Sequence, residues 1–168
     1  LLDGKTVVKP AFTVKGEEKV EKCQADYVSL GGYKLERAFE TFPISADGKI
    51  FVDVGASTGG FTQCLLSRGA RKIYAVDVGE SLLSSEIRKD PRVIPVENFN
   101  ARNLSPEALG EKTDGAVCDV SFISLTYVLK PIFDVLKEGG FAVVLIKPQF
   151  ECGRDALNKH CLLYTSPS

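Results

Sequence analysis

The sequence lacks the patterns that indicate metal sites, disulfide frameworks and membrane spans. Its five cysteines include no C-x-x-C pair and it holds a single histidine, which argues against a zinc site and against a disulfide scaffold. No apolar run approaches the ~20 residues that a membrane-spanning helix needs, and no leader-like segment suggests export. We therefore expect a protein of the reducing cytoplasm that binds no metal and does not enter a membrane.

An excess of charge of one sign is also lacking. The 168-residue chain has a net charge of −1, with 44% apolar and 26% charged residues. Such a composition is ordinary for a globular domain that is long enough to bury a core. The overall charge balance does not indicate the basic surface that is typical of nucleic-acid-binding proteins. Evidence for an RNA substrate must therefore come from motifs.

Short apolar runs alternate with helical segments from about residue 50 onward. The apolar runs predict five strands, at 50–54, 72–78, 92–96, 115–120 and 141–147. The segments between them predict helices, at 59–69, around 80–89 and at 124–140, the last one kinked by a proline. Pro95 makes the third strand a candidate for a sheet edge. This alternation predicts an α/β fold with βαβ units and a doubly wound, mainly parallel sheet.

The two ends of the chain differ from this central part. Residues 1–26 resemble a small β-hairpin module with a charged linker, whereas residues 27–154 carry the α/β pattern, whose final strands we expect to be missing. Residues 155–168, which include His160, follow neither period, and we expect them to form a non-native or disordered tail without function. The chain begins without methionine, as if it were taken from inside a longer protein.

The segment DVGASTGGF, residues 53–61, places an acid and several glycines between a strand and a helix. Open α/β sheets bind their ligands in loops of this kind, at the carboxyl ends of the strands. The dinucleotide fingerprint G-x-G-x-x-G would need glycine where the chain has Ser57, and it would use the helix N-terminus for a pyrophosphate. Asp53 would repel a phosphate but suits a ligand ammonium group, such as that of S-adenosylmethionine. A glycine-rich turn that binds nothing is the alternative.

Further candidates for cofactor contacts follow the next two strands. Asp77 ends the second strand and could accept hydrogen bonds from two ribose hydroxyls, although NAD would use an acid there as well. Asn98 and Asn100 follow the third strand, where adenine contacts are usual and where a plain turn is an equal alternative. The expected cofactor-binding residues are Asp53, Gly55, Ala56, Ser57, Gly59, Gly60, Phe61, Asp77, Asn98 and Asn100.

Charged residues also end the last two predicted strands. Asp119 follows the fourth strand, and Lys147 ends the apolar run AVVLIK just before a proline. We expect these two strands to flank the first one, so that both side chains lie beside the reactive methyl group of a cofactor. A lysine in that position could take a proton from an attacking hydroxyl, and Lys34 could bring a second cation. For either lysine alone, a solvated side chain is the simpler interpretation.

Several longer motifs together carry a resemblance to a known family. YVS-GG-KLE-A, DVGASTGGFT, YAVDVG, DPRV, DVSFISL and LIKPQFE-GR are similar to motifs of the haemolysin-A-type (TlyA-like) ribosomal RNA ribose methyltransferases, within the FtsJ-like group. The resemblance covers residues 1–154 and implies an S4-type RNA-binding domain, here only its end, followed by a Rossmann-like methyltransferase domain. It also implies S-adenosylmethionine-dependent 2′-O-methylation of ribose, typically of cytidine, in ribosomal RNA or ribosomal subunits.

The same resemblance implies roles for individual residues. The Lys-Asp-Lys-Glu tetrad of the FtsJ-like group would place its first three members at Lys34, Asp119 and Lys147. Lys147 would remove or stabilise the proton of the 2′-hydroxyl, Asp119 would hold that lysine, and Lys34 would position the ribose or a phosphate. The tetrad's glutamate has no counterpart here, because Glu151 belongs to the KPQFE motif. Leu30 replaces an arginine that could contact RNA, and only the end of the S4-type module is present. With most of that module's RNA-contacting surface absent, we expect this chain to bind cofactor but to methylate weakly or not at all.

Three rival functions remain at this point. An NAD-dependent oxidoreductase is disfavoured by Ser57 and by the absence of a histidine for hydride chemistry within the α/β pattern. A non-catalytic RNA-binding or ribosome-associated module of the same fold would suit a truncated chain. A membrane-lysing haemolysin is disfavoured because no amphipathic or spanning segment supports insertion.

Overall fold

The computed structural model describes residues 27–152. The hairpin module expected at 1–26 and the tail expected at 155–168 lie outside the described residues, and so does His160. Within the described range, helices and strands alternate in the order α1 Gly31–Thr41, β1 Ile50–Val54, α2 Gly60–Ser67, β2 Lys72–Val76, α3 Ser85–Arg88, β3 Val93–Val96, α4 Pro106–Leu109, β4 Thr113–Cys118, α5 Leu129–Asp134, β5 Leu136–Val144 and α6 Pro148–Glu151. Single turns of 3₁₀ helix precede α4 and α5.

The five strands form one parallel sheet in the order β3-β2-β1-β4-β5. From β1 the chain builds outward to β3 and then crosses back to form β4 on the other side of β1. This reversal makes a switch point between β1 and β4, which is where open α/β sheets bind ligands. The doubly wound parallel sheet is therefore confirmed, as is the edge position of Pro95 on β3. In contrast, β5 pairs with β4 and does not flank β1 as expected.

The segment between β4 and β5 was predicted wrongly. The kinked helix expected over 124–140 is reduced to α5, and the chain already enters β5 at Leu136. Leu136 is buried and pairs with Thr113, and the register of the two strands then shifts before Gly115. Gly139 adopts a positive φ of 74° within this irregular strand. Pairing with β4 thus overrides the local helical pattern.

The helix predicted around 80–89 is also shorter than expected. Only α3 is helical there, and it begins after Ser84, whose Oγ accepts a hydrogen bond from the backbone N–H of Ile87. Ile87 and Leu83 are the buried residues of this segment and pack near Ala56, at the start of the loop that follows β1. A single capped turn therefore suffices to cover this part of the sheet.

Helices cover both faces of β1, whose five residues are all buried. Ile50, Val52 and Val54 belong to the apolar layer that includes α5. Phe51 points to the opposite face, in the layer formed by α1 and α2. Because the central strand is enclosed on both sides, its carboxyl end is held rigidly.

We expect Phe51→Ala to lower the free energy of unfolding by about 3–5 kcal/mol, because it removes a fully buried ring from the centre of the sheet. The matched control is Phe133→Ala on α5, whose ring is 59% exposed; its effect should stay under about 1 kcal/mol. Urea unfolding followed by circular dichroism measures both variants. Equal losses in the two variants would contradict the assignment of Phe51 to the core.

Candidate active site

The loop after β1 lies directly against the end of β4. Gly55 has a positive φ of 82°, and a Cβ at this position would lie 2.9 Å from the carbonyl oxygen of Asp119. Glycine is therefore required both by the backbone conformation and by the close approach. Ser57 also adopts a positive φ, of 49°, at the position where the dinucleotide fingerprint has glycine. The loop thus keeps a tight turn while it presents a hydroxyl group.

Asp77, just beyond the end of β2, holds this loop in place. One of its carboxylate oxygens accepts a hydrogen bond from the backbone N–H of Ser57 at 2.8 Å, and the other accepts one from Gly79 at 2.9 Å. A carboxylate has about four acceptor positions, so each oxygen can still accept another hydrogen bond. Asp77 can therefore order the loop and also bind ligand hydroxyls.

Lys34, Asp119 and Lys147 come together at the carboxyl ends of β4 and β5. The ammonium of Lys147 lies 2.5 Å from Oδ1 of Asp119, and that of Lys34 lies 3.5 Å from Oδ2. Lys147 also donates a hydrogen bond to Oγ of Ser121 at 2.7 Å. About half of the Lys34 side chain is exposed, whereas the other two charged groups are about one-fifth exposed. One carboxylate thus faces two ammonium groups at the edge of the switch point.

Two adjoining cavities open on either side of the Gly55–Ser57 loop. The larger, of about 420 Å³, has apolar walls that include Val78, Leu82 and Phe99, and Asp77 lies at its polar end. The smaller, of about 210 Å³, lies between the loop and Lys147. Both cavities are lined by Asp119, so the charged cluster stands where they meet. An apolar cavity with a few convergent polar groups is the usual form of a small-molecule site.

The structure brings most of the predicted cofactor-binding residues to these cavities. Those that line them are Gly55, Ala56, Ser57, Gly60, Phe61, Asp77 and Asn100. Gly59 does not line either cavity: a Cβ there would contact Ile87 and Leu83, so its role is in packing. Asn98 is exposed outside both cavities, with a positive φ of 53° and a backbone N–H that donates to the carbonyl of Gly79. For Asn98 the structure favours the turn interpretation.

Asp53 lies behind the loop instead of within a cavity. Its side chain is fully buried on the face of β1 that packs on α2, and Oδ2 accepts a hydrogen bond from Oγ1 of Thr62 at 2.6 Å. Oδ1 is buried without a hydrogen-bond partner. Burial raises the pKa of Asp53 to about 7, although the hydrogen bonds from Thr62 partly oppose the rise. The pKa of this carboxyl group therefore lies near neutral pH. The group has no exposed surface with which to contact a ligand.

Sequence reasoning missed several residues at the site. Ser121 accepts a hydrogen bond from Lys147, and Ser29, Gly31 and Thr58 line the smaller cavity. Ser121 lies two residues after Asp119 in the motif DVSFISL, and this position was a detectable signal. The contribution of Ser29 comes from the segment before α1, and only the packing of that segment on α2 brings it to the site.

Residues 27–152 contain neither a candidate membrane span nor a candidate metal site. Across this range no helix has the length and apolar character needed to cross a membrane. The same residues contain no group of three or more histidine, cysteine or acidic side chains that could hold a metal ion.

Comparison with known proteins gives consistent matches. The model of the FtsJ-like methyltransferase family matches residues 27–164. Hemolysin A of Brachyspira hyodysenteriae is 45% identical over 160 residues, which are 94% of this chain and 67% of that protein. The 16S/23S rRNA (cytidine-2′-O)-methyltransferase TlyA of Mycobacterium tuberculosis is 44% identical over 156 residues, or 91% of this chain and 58% of that protein. The chain thus spans about 58–67% of the length of these two curated relatives.

A solved structure shows the same arrangement in three dimensions. The structure of a Streptococcus thermophilus protein described as a hemolysin superposes with a TM-score of 0.81 at 41% sequence identity. The match covers 89% of this chain and 54% of that one. The similarity therefore extends over most of this chain.

We expect Asp53 to make the stability of the protein depend on pH. Its pKa is raised from 3.8 to about 7 on folding, so its stabilising contribution is complete below about pH 4 and is lost as the pH rises through 7. Relative to Asp53→Asn, the wild type should lose on the order of 4 kcal/mol over this range. Urea unfolding at several pH values between 4 and 8 measures the difference. Parallel pH curves for the two proteins would contradict the raised pKa.

Proposed function

We propose that this chain, which belongs to the FtsJ-like methyltransferase family, forms the catalytic part of an enzyme that methylates a ribose 2′-hydroxyl in ribosomal RNA, with S-adenosylmethionine as methyl donor. The observation that carries the proposal is the cluster of Lys34, Asp119 and Lys147 at the switch point, beside the two cavities. The activity for which the Mycobacterium tuberculosis relative is named supports cytidine as the target nucleotide. Such a substrate implies that the protein acts in the cytoplasm.

The residues around the loop fit S-adenosylmethionine. The larger cavity suits its adenosine, with Asp77 as acceptor for the ribose hydroxyls and Phe99 beside the base. Gly55 lines both cavities, so a ligand can approach its backbone directly. Asp53 supports a ligand ammonium only from behind the loop, since its carboxyl group is buried. When bound, the cofactor supplies an electrophilic methyl group.

The charged cluster then acts on the ribose. The Lys147 side chain is oriented by its ion pair with the carboxylate of Asp119 and by its hydrogen bond to the hydroxyl of Ser121. From there Lys147 would hold or take the proton of the attacking 2′-hydroxyl, which increases the nucleophilicity of that oxygen. The more exposed Lys34 would bind a neighbouring phosphate or the ribose. Asp119 would hold both ammonium groups close to each other, because it is the ion-pair partner of each.

RNA recognition needs more than this cluster. The chain as a whole has a net charge of −1, so general attraction to the phosphate backbone is weak. The resemblance of residues 1–26 to the end of an S4-type module supports a separate RNA-binding part. We therefore propose that residues 1–26 are the end of an S4-type RNA-binding domain and that residues 27–154 form the methyltransferase domain.

In the full-length protein, we expect Lys147→Ala to abolish methyl transfer while the affinity for S-adenosylmethionine stays nearly unchanged, because the lysine acts on the ribose and not on the cofactor. Transfer of a radiolabelled methyl group to ribosomal subunits measures the activity, and calorimetric titration measures the affinity. The control is Lys130→Ala, since Lys130 is 82% exposed on α5. Wild-type turnover in the Lys147 variant would refute the assigned role.

We expect the protein to bind S-adenosylmethionine but not NAD in calorimetric titrations. Asp77→Ala should weaken this binding by at least about tenfold, since it removes an ionised acceptor of ligand and loop hydrogen bonds. Asp77→Asn, which keeps one acceptor oxygen, should lose less. Binding of NAD would support the oxidoreductase alternative instead, and an Asp77→Ala variant with unchanged affinity would remove Asp77 from the site.

A further inference from the structure

Two segments beyond the sheet carry Asp119 and Lys147 of the charged cluster, whereas Lys34 lies on α1. The backbone N–H of Leu145 donates to the carbonyl of Cys118 at 2.9 Å, and this bond continues the pairing of β4 with β5 just past the end of both strands. Residues 119–125 and 146–151 then leave the sheet. Beyond this point side chains join the two segments, and the bonds from Lys147 to Asp119 and Ser121 are the ones nearest the sheet.

Glu151 joins the same two segments at their far end. Its Oε2 accepts a hydrogen bond from Oγ of Ser124 at 2.6 Å, and its Oε1 accepts one from the backbone N–H of Leu125 at 2.9 Å. These bonds lower the pKa of Glu151, with the Ser124 hydroxyl as the larger cause. Both carboxylate oxygens therefore bind the loop after β4, and neither cavity is lined by Glu151.

The position of Glu151 in the chain ties it to Lys147. Pro148 begins α6 directly after Lys147, and Glu151 ends this single helical turn. Proline fixes the backbone at the start of the turn, and the N–H of Phe150 donates to the carbonyl of Lys147 at 2.8 Å. A displacement of Glu151 would therefore move the backbone of Lys147 as well.

We propose that Glu151 is a positioning residue for Lys147. By binding Ser124 and Leu125 it fixes the distance between α6 and the loop after β4, so that the ammonium of Lys147 stays against Asp119 and Ser121. Charge-assisted hydrogen bonds suit this purpose because they are short and strong. The inference rests on the proposed function, since it gives Glu151 an effect on methyl transfer through Lys147.

In the full-length protein, Glu151→Ala should lower kcat for methyl transfer by on the order of 10- to 100-fold, because a displacement of about 1 Å can have this effect. The Kd for S-adenosylmethionine and the melting temperature should stay nearly unchanged, since Glu151 is exposed and touches neither cavity. Glu151→Gln keeps a carbonyl oxygen for the N–H of Leu125, so it should recover part of the loss. The matched control is Glu138→Ala, an exposed acid on β5.

A double substitution tests whether Glu151 affects kcat through its contact with Ser124. Ser124→Ala alone should lower kcat less than Glu151→Ala, because the bond to Leu125 remains. Combined with Glu151→Ala it should cause no further loss, since both changes break the same contact.

The outcomes separate this inference from the proposed function. A wild type that transfers no methyl group to ribosomal subunits would overturn both. An active wild type with kcat unchanged in Glu151→Ala would overturn the positioning role alone. Loss of kcat together with lower melting temperature and weaker cofactor binding, in both the alanine and the glutamine variants, would also overturn it, because Glu151 would then serve the fold. Selective loss of kcat with partial recovery in the glutamine variant supports it.

Discussion

The parallel pairing of β1 with β4 is the constraint on which the rest of the site depends. Val54 lies opposite Cys118 in this pairing, and the backbone N–H of Asp119 donates to the carbonyl of Val54 just beyond it. The loop after β1 and the loop after β4 therefore leave the sheet side by side. Their contact at Gly55 is so close that no side chain fits between them. A cofactor loop and a charged cluster become neighbours for this reason, although 66 residues separate Asp53 from Asp119.

Two aspartates near the same sheet edge have opposite environments and serve different purposes. Asp53 is enclosed beneath α2 with one hydrogen-bonded oxygen, and burial raises its pKa to about 7. Asp119 stands between two lysine ammonium groups at the opening of both cavities. The buried acid contributes to the packing and electrostatics behind the loop, whereas the partly exposed acid pairs with two lysine side chains beside the cavities. Their difference follows from position along the strand and not from the residue type, since Asp53 lies within β1 whereas Asp119 lies just beyond the end of β4.

Local hydrogen bonds fix the positions of the loops that extend beyond the sheet. The sheet ends at Val144, and the charged side chains extend from loops beyond it. Asp77 binds the loop after β1 through the backbone N–H of Ser57. Glu151 binds the loop after β4 through the hydroxyl of Ser124 and the backbone N–H of Leu125. Each carboxylate thus satisfies donors that an irregular backbone leaves unpaired. A site on loops can be accurate when such contacts hold the loops to the scaffold.

The sequence by itself determined the α/β class and the parallel sheet, and it predicted most of the residues from the loop after β1 that line the cavities, because alternating apolar runs and a glycine-rich strand-to-helix loop have strong local signatures. It also pointed to Lys34, Asp119 and Lys147, through the resemblance of longer motifs to a family. It did not reveal that residues 136–140 extend a strand, since pairing with β4 overrides their helical pattern. Only the tertiary structure decided that Asp53 is buried and that Glu151 reaches Ser124, because these facts depend on contacts between segments that are distant in the chain.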